Sequence, residues 1–234
     1  MAKVCIECGH RLPQDVTQLY HEKLFKKIKI LKLLQCEKCD EVCDKYVAYE
    51  GTLLLLDVAL QRKPALRHLL INEDHSSTIL KVTLLTLIID GYCRWSETGG
   101  RQQFFEQEFE FYTKFAESFS SLAIYLTVSL LTIISCCQVK TSLPRLVTGL
   151  LLSFCTRFLM LGALLWVTGP ETRFLWSAVE LLSVLTSVSV TRVLTDTVSL
   201  RCWAIMLTAH MARLSSHNIS QIMSNDVTQS VLCL

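Results

Sequence analysis

The chain carries none of the short motifs that mark hydrolytic or nucleotide chemistry. It has no G-x-S-x-G nucleophile elbow, no H-E-x-x-H zinc-protease helix, no phosphate-cradling P-loop and no paired His and carboxylate motif. His68, His75 and His210 stand alone in the sequence, and a lone His is more often packed or solvated than catalytic. There is no charge excess: a formal net charge of +2 gives no global argument for nucleic acid. No apolar core follows the opening Met-Ala-Lys-Val-Cys, so a cleavable signal peptide is not expected. Residues 118–139 hold no charged side chain at all, and that absence marks the clearest candidate for a membrane span.

What is present divides in two. Lys and Arg crowd the first 75 residues, whereas residues 118–234 are dominated by Leu, Val, Ser and Thr. Hydrophobic residues form 51% of the chain, high for a soluble protein. Four of the eleven cysteines stand in two close pairs, Cys5-Ile6-Glu7-Cys8 and Cys36-Glu37-Lys38-Cys39. Two residues between sulfurs let both turn toward one point, and two such pairs supply four thiolates for a tetrahedral zinc site. The pairs precede every apolar span, which favours a reducing compartment and Zn²⁺ over disulfides. Four sulfurs close the coordination shell, so the expected zinc is structural, one per chain. Cys43 and His10 lie close by in sequence and are read as bystanders. Gly9 and Asp40 each follow a second cysteine and suit a tight knuckle.

The expected fold is a mainly α membrane protein with a small β-rich zinc ribbon at its N-terminus. Residues 1–50 form the cytosolic ribbon-like module, with strands expected around Leu31 to Leu34 and from Asp44 to Glu50. The basic run Lys23, Lys26, Lys27, Lys29 and Lys32 fits either attraction to anionic headgroups or a solvated strand face. Residues 51–76 are apolar yet too charged to span. They read as amphipathic helix at a membrane surface, broken near Pro64, or as helix packed on the ribbon. Residues 77–214 read as a bundle of four or five transmembrane helices. The spans are placed at about 78–95, 118–139, 146–168 and 174–191, with a fifth if 200–214 crosses. Residues 215–234 read as a polar tail, with a glycosylation sequon at Asn218 that matters only on a lumenal side. Arg157 and Glu180 sit at mid-depth in separate spans and are read as an ion pair or as lining of a headgroup path. The Lys and Arg bias puts the first 75 residues in the cytosol.

Several segments occur in an ordered series: Val4-Cys5-Ile6-Glu7-Cys8-Gly9, Cys36-Glu37-Lys38-Cys39, Asp44-Lys45-Tyr46-Val47, Leu56-Asp57-Val58, Lys63-Pro64 and Arg67-His68-Leu69-Leu70-Ile71-Asn72. That series, with Tyr92-Cys93-Arg94-Trp95 further on, resembles the N-terminal homology region of the ARV family. It departs at Ala48, where the family implies an acidic residue, and at Ala65-Leu66, which lacks a tyrosine. The resemblance implies a multi-pass, non-enzymatic protein of the endoplasmic reticulum, in some members also of the Golgi. It implies work in sterol uptake, trafficking and distribution, with sphingolipids and glycosylphosphatidylinositol precursors as further lipids handled. Asp57, Arg67 and His68 are the expected headgroup contacts, on the ground of charge beside an apolar face. The competing reading is a membrane-embedded scaffold that positions a lipid-biosynthetic enzyme complex and moves no lipid. A ubiquitin-ligase domain fits poorly, because it needs two interleaved zinc sites.

Overall fold

The computed structural model describes residues 3–12, 20–25, 28–97, 104–137, 141–162, 171–195, 197 and 199–232. It divides into two compact units, Met1–Ser77 and Thr78–Leu234.

In the first unit, β1 (Tyr20–Phe25) and β2 (Ile28–Leu33) form an antiparallel hairpin with Tyr20 opposite Leu33 and Phe25 opposite Ile28. Lys23, Lys29 and Lys32 of the basic run lie on these strands, and Lys26 and Lys27 fall outside the described residues. Single bridges close each cysteine loop, Val4 with Arg11 and Gln35 with Val42. The strand expected from Asp44 to Glu50 is instead a run of turns. The Asp44 carboxylate accepts the Tyr46 backbone N–H at 3.0 Å, and the N–H groups of Ala48 and Tyr49 donate back to Lys45 and Tyr46. A side chain that captures a nearby N–H offers the backbone an alternative to a strand ladder.

Helix α1 (Gly51–Ala59) ends where Gln61 takes a left-handed conformation, φ 56°. Arg62 N–H donates to the Asp57 carbonyl and Gln61 N–H to that of Val58. This pairing is a Schellman stop, which satisfies carbonyls the helix would otherwise orphan. The chain restarts as α2 (Lys63–Arg67), with Pro64 in the first turn, where its missing N–H costs nothing. It continues into one wide π turn, His68–Asn72. Single π turns are rare and concentrate at functional positions.

The described regular elements of the second unit are all helical: α3 (Ser76–Glu97), α4 (Phe104–Cys136), α5 (Leu143–Phe154) with a tight 3₁₀ turn Cys155–Leu159, α6 (Glu171–Thr195) and α7 (Ser199–Leu232). Among the described residues, four segments are long and apolar enough to cross a membrane: Ser76–Ser96, Glu110–Cys136, Leu143–Gly162 and Phe174–Thr195. At 1.5 Å per residue the 33 residues of α4 reach about 50 Å, well beyond the roughly 30 Å of a hydrocarbon core. Helix therefore extends over residues 104–117, ahead of the span expected from residue 118. Helix α7 likewise runs through residues read as a polar tail. Lipid offers the backbone no hydrogen-bonding partner, so a continuous helix is the favoured way to cross.

The many Ser and Thr of these helices fit that constraint. Thr83, Thr86, Thr132, Ser153, Thr186, Ser187, Thr191 and Thr195 each donate to the carbonyl four residues back. Gly91 lets α3 approach α4 closely: a Cβ there would lie 3.2 Å from the Phe115 Cα. Helix α4 also packs on α7, and α6 on both α5 and α7.

Candidate metal centre and the polar hub around it

The two cysteine loops have the same construction. In the first, Gly9 N–H donates to the Cys5 carbonyl and Cys5 N–H to that of His10, both at 2.9 Å. In the second, Asp40 N–H donates to the Cys36 carbonyl and Cys36 N–H to that of Glu41, again at 2.9 Å. Each loop turns through a left-handed residue, Gly9 at φ 74° and Asp40 at φ 59°. Each presents two sulfurs to the other. Cys5 Sγ lies 3.7 Å from Cys39 Sγ, and Cys8 Sγ 3.7 Å from Cys36 Sγ. A tetrahedron with Zn–S bonds of 2.3 Å has edges of about 3.8 Å, whereas a disulfide needs about 2.0 Å. All four sulfurs fall within 4.8 Å of one another, so the donor set fits a tetrahedral metal such as zinc.

The cysteines differ in ease of ionisation. Burial pushes the Cys5 thiol up to about 12. At Cys36 burial acts the same way, but the N–H groups of Lys38 and Cys39 outweigh it and bring the thiol down to about 7. Cys43 belongs to the buried cluster with Cys5, Leu12 and Cys36, not to the sulfur quartet. Burial there holds its thiol up at about 11. His10 is exposed and lies outside the quartet.

Asp44 organises the rest of this unit. It is fully buried, and its carboxylate accepts three hydrogen bonds: from Tyr46 N–H, from Asn72 Nδ2 at 2.7 Å and from His68 Nδ1 at 2.7 Å. Asn72 reaches on to the first cysteine loop, where it accepts the Val4 N–H at 2.9 Å and donates to the Val4 carbonyl at 3.0 Å. Arg67 Nη1 donates to the carbonyls of Ile6 (2.9 Å) and Glu7 (2.6 Å). The Tyr46 hydroxyl donates to Asp57 at 2.6 Å, and burial raises its pKa. Arg62 pairs with the same Asp57 carboxyl at 3.2 Å. The π turn makes this geometry possible, because it brings His68 and Asn72 to bear on one carboxylate. Ile6, Tyr46 and Ala65 fill the space beneath, with Leu54 and Val58 of α1 against them.

The three residues expected at a lipid headgroup therefore already have partners inside this unit. His68 is buried on Asp44, Arg67 is bonded to the first knuckle, and Asp57 is held by Tyr46 and Arg62. The sequence reading did not single out Asp44 or Asn72 as polar centres, although both stand in the motif series.

The second unit buries its own charge network. Arg157, on the 3₁₀ turn after α5, pairs with Asp90 of α3 and with Glu180 of α6. Arg94 also pairs with Asp90 at 2.8 Å, Ser118 of α4 donates to it at 2.6 Å, and Arg213 of α7 pairs with Glu180. The expected pairing of Arg157 with Glu180 is present, within a larger cluster that draws on α3, α4, α6, α7 and the 3₁₀ turn after α5. Close by, the Tyr125 hydroxyl meets Ser187 at 2.9 Å, and Ser187 meets His210 Nε2 at 3.1 Å.

A four-cysteine knuckle module followed by a bundle of membrane-crossing helices defines a small class of membrane proteins. The chain belongs to the Arv1-like family, whose family model matches residues 4–192. It is 25% identical to Protein ARV 2 of Arabidopsis thaliana over 234 residues, covering 93% of this chain and 95% of that protein. Protein ARV1 of Homo sapiens is 25% identical over 178 residues, 69% of this chain and 61% of the human protein. Protein arv1 of Schizosaccharomyces pombe is 28% identical over 186 residues, 77% of this chain and 62% of its own length. The chain thus matches nearly all of the plant protein's length and about six tenths of the human and fission-yeast ones. No solved structure matches it.

Proposed function

We propose that the four cysteines hold one structural Zn²⁺ and that the protein serves lipid homeostasis in the endoplasmic reticulum without catalysing a reaction. The cargo this reading favours is sterol, taken up and distributed among membranes, with sphingolipids or glycosylphosphatidylinositol precursors as related lipids. The supporting observation is the hub around Asp44. The residues that carry the family resemblance, from Val4 to Asn72, are joined by hydrogen bonds into one unit, which a zinc knuckle alone does not require. A closed four-thiolate shell leaves no position for substrate, consistent with a structural role for that metal.

Helix α1 supports contact with a membrane surface. Leu53, Leu56 and Leu60, spaced as one helical stripe, are about half exposed or more, while Leu54 and Val58 pack inward. Such a stripe suits the apolar edge of a bilayer. Asp57, Arg67 and His68 then act by holding this surface in shape, because any headgroup would have to compete with their bonds inside the unit. The cytosolic placement of this unit rests on the concentration of Lys and Arg in it.

Reconstitution separates transport from scaffolding. Purified protein in donor liposomes is expected to speed sterol transfer to acceptor liposomes, and Leu53→Glu with Leu56→Glu to abolish that gain with zinc content unchanged. Tight co-purification with a lipid-biosynthetic complex and no acceleration of transfer would establish the scaffold instead.

A further inference from the structure

His68, Glu73 and His75 are unremarkable in the sequence, yet the fold brings them together. One ring nitrogen of each His and one Glu73 carboxylate oxygen all lie within 4.8 Å of one another. The two imidazole centroids lie 6.5 Å apart with the rings tilted by 45°. We propose that these three side chains form a second metal site, open and exchangeable, that takes a divalent first-row cation, with Zn²⁺ favoured.

The first argument is the state of His68. A carboxylate can only accept, so the 2.7 Å contact with Asp44 places the proton on Nδ1. That leaves Nε2 as the nitrogen able to offer a lone pair to a metal. A buried carboxylate bonded to the far nitrogen of a His is the usual outer support of a metal-binding imidazole, fixing its tautomer and orientation. His68 itself is held by burial, at 3% exposure, and by the Tyr46 ring 5.6 Å away. It is a preorganised ligand.

The second argument is His75. Its Nε2 is buried without a hydrogen bond, 3.4 Å from a Glu73 oxygen. A buried polar nitrogen left in that condition is costly, and a metal would satisfy it together with the neighbouring carboxylate. The third argument is adaptability. Tetrahedral ligands at about 2.0–2.1 Å from zinc sit roughly 3.3 Å apart, close to the 3.4 Å between His75 Nε2 and the Glu73 oxygen, so small movements complete the set. Glu73 and His75 have partly exposed side chains on the segment after the π turn and can move, while His68 stays fixed.

Two imidazoles and a carboxylate suit zinc and its neighbours better than calcium or magnesium. Three protein ligands leave the fourth position to water or to an anionic oxygen from outside. This site is therefore the opposite of the thiolate centre: labile where that is closed, N/O-liganded where that is all sulfur. The inference does not depend on lipid being the cargo.

The test is metal stoichiometry and spectroscopy on the full chain, purified in detergent without a polyhistidine tag. The expected zinc content is two per chain, falling to one after brief treatment with a weak chelator. Titration with Co²⁺ should show near-ultraviolet thiolate-to-cobalt charge transfer from one equivalent. A further equivalent should add visible bands without charge transfer. His75→Gln and Glu73→Gln should each weaken the second equivalent at least tenfold and leave the charge-transfer bands intact, which shows that the knuckles still fold. Saturation at one equivalent, or a His75→Gln protein that still binds two, would overturn the proposal.

Discussion

Asp44 is the residue on which the first unit turns. Its carboxylate is fully buried and bonded to three donors on two segments of the motif series. Asp44→Ala would strand His68 Nδ1, one Asn72 proton and the Tyr46 N–H together. Leaving buried partners unpaired costs about 1–3 kcal/mol each, so a loss of about 3 kcal/mol or more is expected. The readout is the rate at which Cys5, Cys8, Cys36 and Cys39 are alkylated with zinc present, which should rise steeply over wild type. The knuckle positions give a prediction with two signs. Gly9→Ala places a Cβ at positive φ and 3.1 Å from Arg67 Nη2, and should cost about 1–2 kcal/mol. Asp40→Gly relieves the same strain in the other knuckle and should be neutral or stabilising by up to about 1 kcal/mol. Equal effects of the two substitutions on zinc retention would contradict that account. At this scale the meeting of the four cysteines was legible, because two-residue spacing is itself the geometry of a knuckle. The hub was not, because no spacing rule links residue 44 to residues 68 and 72. Their meeting depends on a π turn, and local sequence does not announce one.

Among the elements, the helices were legible and their ends were not. Long apolar runs leave the backbone no alternative to helix in lipid, so all four expected spans before residue 200 have a counterpart among the described helices. The starts moved because charged and aromatic residues such as those at 104–117 continue a helix without leaving a hydropathy signal. Residues 44–50 failed the opposite way: their alternation suggests a strand, and one Asp-to-backbone bond diverts them into turns. The 3₁₀ turn after α5 was also invisible, and it carries Arg157, a charge that bridges two carboxylates. Arg157 has Asp90 on one side and Glu180 on the other, with the Phe154 ring 5.4 Å from its guanidinium carbon. Removing one member of a buried ionic cluster leaves its partners uncompensated, at about 3–5 kcal/mol. Arg157→Ala should lower the thermal aggregation midpoint of the detergent-solubilised protein sharply, and Arg157→Lys should fall between, since an ammonium lacks the planar fork that serves two carboxylates at once. A midpoint unchanged in Arg157→Ala would mean that Arg94 and Arg213 satisfy Asp90 and Glu180 unaided.

For the whole molecule, the composition already separated a basic, cysteine-paired beginning from an apolar remainder, and the two compact units follow that division at residue 77. The units are stabilised by different physics. The first has small apolar clusters and two cysteine loops that meet at four sulfurs, so a metal held there would supply much of its folding free energy, about 10–16 kcal/mol in zinc-finger peptides. The second is helical, with backbone bonds satisfied within each helix and a buried charge network between them. Stripping metal should therefore open one unit and spare the other. Treated with a strong chelator and then a thiol reagent, the full chain should be alkylated at Cys5, Cys8, Cys36, Cys39 and the buried Cys43. Cys93 and Cys202, at 2% and 0% exposure within the helical unit, should stay protected. Peptide mass spectrometry reads each cysteine separately. Labelling of Cys93 and Cys202 in step with the knuckles would show that the bundle needs the metal-bound unit to hold its fold. Protection of Cys43 after complete metal loss would show that the Asp44 hub keeps the first unit folded without its zinc.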